Sequence, residues 1–459
     1  MKCLRIEVMR KIFAMILCSL CCVGTTAQSV YTLTQLKDSA LQHNNAVLNA
    51  QQNISIAQEQ RKEAYTHYFP SVSGTGMWFN ANKGMAKMDM NPSEMISPEL
   101  GMALSQTLPP EALAALGNPM SMTMMKNGTI ASLTATQPLF AGGQIVRGNQ
   151  LAKVGEEVSR IQLRQSVNEV EKTTEAYYWQ LVSLQEKVRT LDAVDSLLAN
   201  LYKDVSVAVK AGVALRNDLL QVQLRQNDIA SQRVKLMNGI SLVKLLTAQY
   251  CGLADHDFTI VYDEYSGSPE MPKPMNEEGK QSSLSLLPEY QLLEKQVEAT
   301  DLQRKMAFGQ NLPTVAVGAG YNYHNLLGND RTFGMVFATV SIPISDWWGG
   351  SHTVKRKKME HQKAIDQLTD NAELLMIRMQ KTWNDVEEAR QQLTIADKSI
   401  EQAAENLRLN QNYYQAGTCR MSDLLEAQLL YQQALDKRTE LFADYQNRLL
   451  EYRQAIGER

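Results

Sequence analysis

The sequence predicts an α+β membrane protein built by internal duplication, each half pairing two strands with a very long helix that folds back on itself. Two observations predict this directly, and a third supplies the strands. None of the 13 prolines falls between Leu139 and Ser268, a span of 130 residues, and none falls in the 116 residues from Ile344 onward. Proline inside a helix costs roughly 3 kcal/mol, so both spans read as long helices, and their Gln, Glu, Lys, Arg, Leu and Ala content agrees. The two halves also repeat at an offset of 205 residues: Ala211-Gly212 … Asp218-Leu219-Leu220 matches Ala416-Gly417 … Asp423-Leu424-Leu425, and Pro138 matches Pro343. A proline-to-glycine distance of 74 residues in both halves marks a duplication.

Taken in order, the chain opens on a leader. Lys2, Arg5, Arg10 and Lys11 precede the apolar run Ile12–Val23, and Thr25-Thr26-Ala27 supplies small residues for cleavage. This is the pattern of a secretory signal peptide over 1–27, with Gln28 as the mature start. The remaining 432 residues carry a net charge of −6 and only two cysteines, Cys251 and Cys419. A mildly acidic chain has no electrostatic footprint for nucleic acid, and two distant cysteines make no disulfide framework. No later stretch approaches 18 apolar residues, so a membrane crossing would have to be made by β-strands.

The first repeat spans 28–252: a helix, a strand hairpin over 70–140, a long helix, a turn at Gly212 and a returning helix. Its strands are Pro70–Phe79 and Thr129–Phe140, separated by a Met-rich loop over 77–125 that holds ten of the 22 methionines. A segment over 253–285 with Pro269, Pro272 and Pro274 divides the repeats and is expected to form an equatorial belt. The second repeat, 286–459, has the same plan, with strands Pro313–Tyr323 and Arg331–Pro343 in a hairpin over 313–344 and a turn at Gly417. Pro70 matches Pro313 at an offset of 243, so the 38-residue excess lies inside the first hairpin. Within the helices Leu215, Val222, Ile229, Leu236 and Val243 recur every seven residues, as do Leu435, Phe442, Leu449 and Ile456. That is a seam packed among several helices, each rod reaching roughly 100 Å at 1.5 Å per residue. Four strands cannot close a barrel, which needs about eight, so the chain must complete one by oligomerising.

This combination resembles the TolC-type outer-membrane efflux channel family. The residues that carry the match are the strand-to-helix signatures Gln137-Pro138-Leu139-Phe140-Ala141-Gly142-Gly143 and Ile342-Pro343-Ile344-Ser345-Asp346-Trp347-Trp348-Gly349-Gly350, together with the two Ala-Gly…Asp-Leu-Leu turns. The resemblance implies a homotrimer whose four strands per chain form one 12-stranded barrel. That barrel would continue as a coiled-coil periplasmic tunnel docked on an inner-membrane transporter through a periplasmic adaptor. It implies a passive exit duct for efflux in the outer membrane and its lipid, extending into the periplasm. A component of a type I protein secretion system, or a soluble periplasmic coiled-coil scaffold, are the alternatives. In the family, acidic residues at the second turn close the tunnel. The matching positions are Asp423 and Glu426, one helical turn apart, which threefold symmetry would make into two acidic rings. Asp218 is the first-repeat counterpart, and Arg420 stands beside Cys419, where the family's closing basic residue usually sits.

Other features carry less. Pro138 and Pro343 are expected to end their strands, with Gly142, Gly143, Gly349 and Gly350 permitting the bend into each helix. Trp347 and Trp348 fit membrane-interface anchors, and Lys355-Arg356-Lys357-Lys358 a solvated helix face. Thioethers are soft ligands for Cu(I) or Ag(I), but a cell-surface loop is a poor place to hold a reduced metal for export. The methionines are therefore read as apolar packing over the barrel mouth, with no metal site and no cofactor. The six histidines show no metal-ligand spacing, and neither G-x-S-x-G nor a phosphate loop occurs, so no enzyme is expected.

Overall fold

The computed structural model describes residues 29–91, 96–117, 120–262, 272–326, 329–344 and 346–458. The leader therefore lies outside the described residues, as do 263–271 of the inter-repeat segment and 327–328 of the second hairpin turn.

The strands are β1 Val30–Tyr31, β2 Ser71–Asn80, β3 Ala86–Met90, β4 Met120–Met124, β5 Asn127–Ala141, β6 Thr259–Ile260, β7 Thr314–His324 and β8 Arg331–Ser341. The helices are α1 Leu33–His43, α2 Asn45–Thr66, α3 Pro98–Thr107, α4 Pro110–Gly117, α5 Gln144–Lys210, α6 Arg216–Cys251, α7 Glu277–Leu284, α8 Pro288–Gly309, α9 Asp346–Gln415 and α10 Met421–Ala455. The duplication is visible in the boundaries. Helices α2 and α8 each have 22 residues and begin 243 apart; α5 and α9 end 205 apart, and α6 and α10 begin 205 apart.

The chain divides into two compact units, one of residues 1–55, 158–294 and 367–459, the other of 56–157 and 295–366. The first unit is helical and holds three apolar clusters. One gathers Leu36, Val47, Val170, Leu181, Val243 and Phe258, where the capping box of Thr32 and Gln35 fixes the start of α1. The inter-repeat segment is bound into this unit. Its Phe258 is fully buried, Tyr178 donates to the Val261 carbonyl at 2.9 Å, and Tyr262 bonds Glu186 beneath the Arg189 guanidinium. The heptad reading holds for Val222, Ile229 and Val243, all buried, but Leu215 is 70% exposed. It is the N-cap of α6, outside the helix, so helical periodicity does not govern it.

The second unit contains a four-stranded antiparallel sheet in the order β2-β5-β7-β8. Alternation sorts its side chains onto two faces. One carries Val72, Trp78, Leu133, Tyr321, Val336 and Val340, each between 57% and 86% exposed. The other carries Ser71, Ser73, Thr75, Ser132, Thr134 and Thr136 with Asn322, and toward β8 and the far end of β2 also Met77, Phe333, Met335 and Phe337. The outer strands β2 and β8 leave one edge each without a partner strand among the described residues.

The insertion between the first strands is not a loop. Residues 86–90 and 120–124 pair as a second antiparallel hairpin, and 98–107 and 110–117 are short helices started by Ser97, Pro98 and Pro110. Met125, with a left-handed φ of 60°, leads from β4 into β5.

Candidate functional site

The two helix turns lie in the helical unit and share the same glycine conformation and the same pair of late hydrogen bonds. Gly212 and Gly417 have φ of 75° and 71°. The Gly212 N–H donates to Val209 O at 3.0 Å and the Val213 N–H to Ala208 O at 3.0 Å; the Gly417 N–H donates to Tyr414 O at 3.0 Å and the Thr418 N–H to Tyr413 O at 2.9 Å. This is the Schellman arrangement, in which a left-handed residue lets two late N–H groups satisfy orphan helix carbonyls. Each returning helix then starts in the same way. The Asp218 carboxylate accepts the Leu215 N–H at 3.3 Å, and Asp423 accepts the Arg420 N–H at 3.2 Å. Both aspartates thus occupy the third helical position and satisfy the N-cap donor.

Of the sequence-predicted gate residues, Arg420, Asp423 and Glu426 are exposed. Asp423 and Glu426 share the exposed side of α10, while Met421, Leu424, Ala427 and Gln428 face inward at 1–4% exposure. Asp423 also accepts the Ser422 hydroxyl at 3.0 Å. The two turns meet electrostatically: burial, and then the Asp218 charge, raise the Tyr414 hydroxyl above its ordinary pKa. Burial and the Asp423 charge likewise raise the Cys419 thiol, whose Sγ lies 3.5 Å from Asn410 O. Between the turns is a cleft of about 540 Å³ lined by Leu201, Asp204, Tyr414, Gln415, Leu424 and Gln428 among others.

A polar layer crosses the helix core behind this cleft. Arg225 donates to Gln432 at 2.7 Å and Gln432 to Gln232 at 3.0 Å, with Arg225 and Gln432 at 9% and 3% exposure. Gln428 is 1% exposed, and neither amide atom has a hydrogen-bond partner among the described residues. Sequence reading missed this layer. Its trace was the recurrence of Gln223 at Gln428, a polar residue kept in a helix seam.

The strand-to-helix junctions, in the sheet unit, depart from expectation. Pro138 does not end β5, which continues to Ala141; the register against β7 shifts between Pro138 and Phe140, a bulge that absorbs the missing N–H. Pro343 does follow the end of β8 at Ser341. Gly142 and Gly143 are left-handed, with φ of 61° and 75°. Gly142 packs backbone to backbone on Gly309, where a Cβ on either glycine would overlap the other's carbonyl oxygen. Gly349 and Gly350 do not make this bend, because they lie inside α9, which starts at Asp346. The 205 offset explains the difference: Gly142 and Gly143 correspond to Trp347 and Trp348. A bulky side chain strongly disfavours positive φ, so the second helix starts earlier, and Gly350 instead lies against the Asn311 side chain. Trp348 is 81% exposed in the first turn of α9.

Among the described residues no helix is long and apolar enough to cross a membrane. With this geometry established, comparison with known proteins is specific. Residues 281–458 match the family model described as outer membrane efflux protein. The second repeat is thus similar to the outer membrane efflux protein family. Its fold neighbours agree over almost the whole chain. The outer membrane protein VceC of Vibrio cholerae superposes with a TM-score of 0.70 at 14% identity, covering 93% of this chain and 96% of that one. The CmeC outer membrane channel of Campylobacter jejuni gives 0.72 at 14% identity, covering 93% and 85%. The MtrE outer membrane channel of Neisseria gonorrhoeae, in its open state, gives 0.69 at 14% identity, covering 93% and 89%. No curated protein matches the chain in sequence. The efflux-family resemblance is thus matched over the second repeat, and over almost the whole chain the fold is that of these proteins.

Proposed function

We propose that the chain is the outer-membrane exit duct of a tripartite export system, assembled as a trimer with one 12-stranded barrel. The observation that carries this reading is the four-stranded sheet: one exposed apolar face, one Ser/Thr-rich face and two open edges. An exposed apolar sheet face with long edges is a liability in water, and in lipid an open edge is forbidden. Strand directions alternate from β2 to β8, so β8 of one copy against β2 of the next continues an antiparallel sheet, and three copies give twelve strands. The apolar face meets lipid and the Ser/Thr face lines the lumen. Residues 1–27 direct export, Trp347 and Trp348 sit at the membrane boundary, and the helical unit receives substrate from an inner-membrane transporter through a periplasmic adaptor.

Gating belongs to the turns. Asp423 and Glu426, repeated by threefold symmetry, form the acidic constriction, with Asp218 and Arg420 in the closing contacts. Purification from outer membranes in mild detergent should yield a threefold-symmetric particle of three chains. A water-soluble monomer or dimer would overturn the duct in favour of a periplasmic scaffold. In planar bilayers, Asp423→Ala with Glu426→Ala should lower cation preference and weaken block by trivalent cations; unchanged selectivity would remove the gate assignment alone.

A further inference from the structure

The run Lys355-Arg356-Lys357-Lys358 has no counterpart in the first repeat. At the offset of 205, residues 348–363 match 143–158. Residues 348–363 hold five cations (the run and Lys363) and one acid, Glu360, a net charge of 5 − 1, or +4. Residues 143–158 hold Arg147 and Lys153 against Glu156 and Glu157, a net charge of 2 − 2, or zero. Trp348 is likewise a feature of the second copy alone, since the first has Gly143 there. A requirement shared by both helix starts would have marked both copies, so starting the helix needs neither the tryptophan nor the charge. The two features occur together, in a chain whose net charge is −3.

Their placement suits an anionic surface. Strand β8 leads through the exposed Ile342 and Ile344 into the first turns of α9, where Trp348, Lys355, Arg356 and Lys358 are all exposed. Helix α8 covers another side of α9: Lys357 donates to Gln303 at 3.0 Å, and the Thr300 hydroxyl lies 3.2 Å from the His361 ring. Glu360 takes Lys357 at 2.7 Å and Arg356 at 3.8 Å. Among the described residues no carboxylate lies within ion-pair distance of Lys355 or Lys358. Like charges a turn apart repel, and an anionic partner relieves that repulsion. At 3.6 residues per turn, Lys358, Lys355 and Arg356 spread over about 160° of the helix, so a neighbouring helix on one side cannot cover all three. Lys355 stands about 10 Å along α9 from Trp348, and Lys358 about 15 Å. Helix side chains tilt toward the N-terminus, here the end next to β8, and lysine carries its ammonium further on a flexible stem. Tryptophan favours the headgroup level, so the ammonium groups reach phosphate depth. We infer that the exposed basic face of α9, Lys355, Arg356 and Lys358 following Trp348, binds the phosphate headgroups of anionic lipid. The inference rests on the duct reading, which places the sheet in a bilayer, and adds to it a preference among lipids. Cations beside a membrane-embedded segment each strengthen attraction to anionic headgroups, and a zwitterionic headgroup offers them no net charge.

The test reconstitutes the full chain into phosphatidylcholine vesicles carrying a trace of spin-labelled phosphatidylglycerol or spin-labelled phosphatidylcholine. The immobilised lipid fraction is read by electron paramagnetic resonance. Phosphatidylglycerol should associate at least about three-fold more strongly than phosphatidylcholine, and the preference should fade in high salt. It should fall to near parity in the Lys355→Gln, Arg356→Gln, Lys358→Gln chain. It should persist in the Arg147→Gln, Lys153→Gln chain, which removes the cations of the matching segment in the first repeat. Equal association of both lipids with the parent, no change in the triple variant, or an equal loss in both variants overturns the inference and leaves the duct standing. Immobilisation of neither lipid means that no bilayer-embedded surface forms, and the duct reading then falls together with the inference. Inorganic phosphate separates two sources of the same chemistry. If it displaces labelled phosphatidylglycerol no better than chloride at equal ionic strength, the lipid site is supported; stronger displacement overturns it in favour of a soluble phosphate.

Discussion

The two helix turns and the two strand-to-helix junctions arose from the same duplication, yet the turns keep the same glycine, late hydrogen bonds and aspartate cap and the junctions do not. At Gly212 and Gly417 the same left-handed glycine, the same pair of late hydrogen bonds and the same aspartate three residues into the next helix recur. At the junctions, two left-handed glycines in the first repeat face two tryptophans in the second. The difference separates two kinds of constraint. A turn that must reverse a helix between its own carbonyls is determined locally, so both copies solve it identically. A junction is determined by what it packs against, and Gly142 has the Gly309 backbone where the second junction has the Asn311 side chain against Gly350.

The largest expected effect sharpens that distinction. Gly142→Val should destabilise the chain by about 3 kcal/mol or more, the left-handed backbone accounting for roughly 1–2 of it. Gly143→Ala, equally left-handed but in open space, should cost only that backbone share. Gly349→Ala, inside a helix with open space around it, should instead stabilise by up to about 1 kcal/mol. Thermal unfolding followed by circular dichroism ranks the three, and equal losses at all would collapse the distinction.

Next come the turns. Gly212→Ala and Gly417→Ala should each cost about 1–2 kcal/mol and agree with each other, since neither glycine has a neighbour in the way of a Cβ. A marked inequality would mean the turns are not equivalent. Asp218→Ala and Asp423→Ala should follow at about 0.5–1 kcal/mol each through the lost N-terminal bond and dipole interaction.

The smallest effect concerns one chemical difference between the turns, Cys419 where the first repeat has Ala214. Burial and the Asp423 charge raise its pKa, so the thiolate fraction at a given pH is lower than for a free thiol. Alkylation by iodoacetamide should reach half its maximal rate at a higher pH than for a free cysteine. Asp423→Asn should move that midpoint downward. A midpoint unmoved by Asp423→Asn would show that the carboxylate does not act on the thiol.

Much of the architecture was legible in the sequence because long helices exclude proline and duplication leaves a fixed offset. The limits of α5, α6, α9 and α10 followed from Pro138, Pro343, Gly212 and Gly417 to within a few residues. What stayed hidden depended on partners distant in sequence. Gly309 lies 167 positions from Gly142, and nothing local marks either as half of a backbone contact. The hairpin of β3 and β4 is closed by two helices, so its strands never appear as neighbours in sequence. At the turns, Asp218 and Asp423 were legible as special residues, but their hydrogen bonds give each a capping duty that charge alone did not suggest. Gln428, buried with no hydrogen-bond partner among the described residues, contradicts the rule that seams are apolar and could not be read from periodicity.

One consequence follows from the unlike outer strands β2 and β8. In the assembly proposed above, two copies that join through these edges would consume one β2 edge and one β8 edge, and one of each is still left over. Adding another copy changes nothing in that count. The number of bare edges per growing chain of copies is constant until the last strand meets the first, and then it falls to zero in a single step. Partial assemblies therefore gain no relief in proportion to their size, and closure is the only event that ends recruitment.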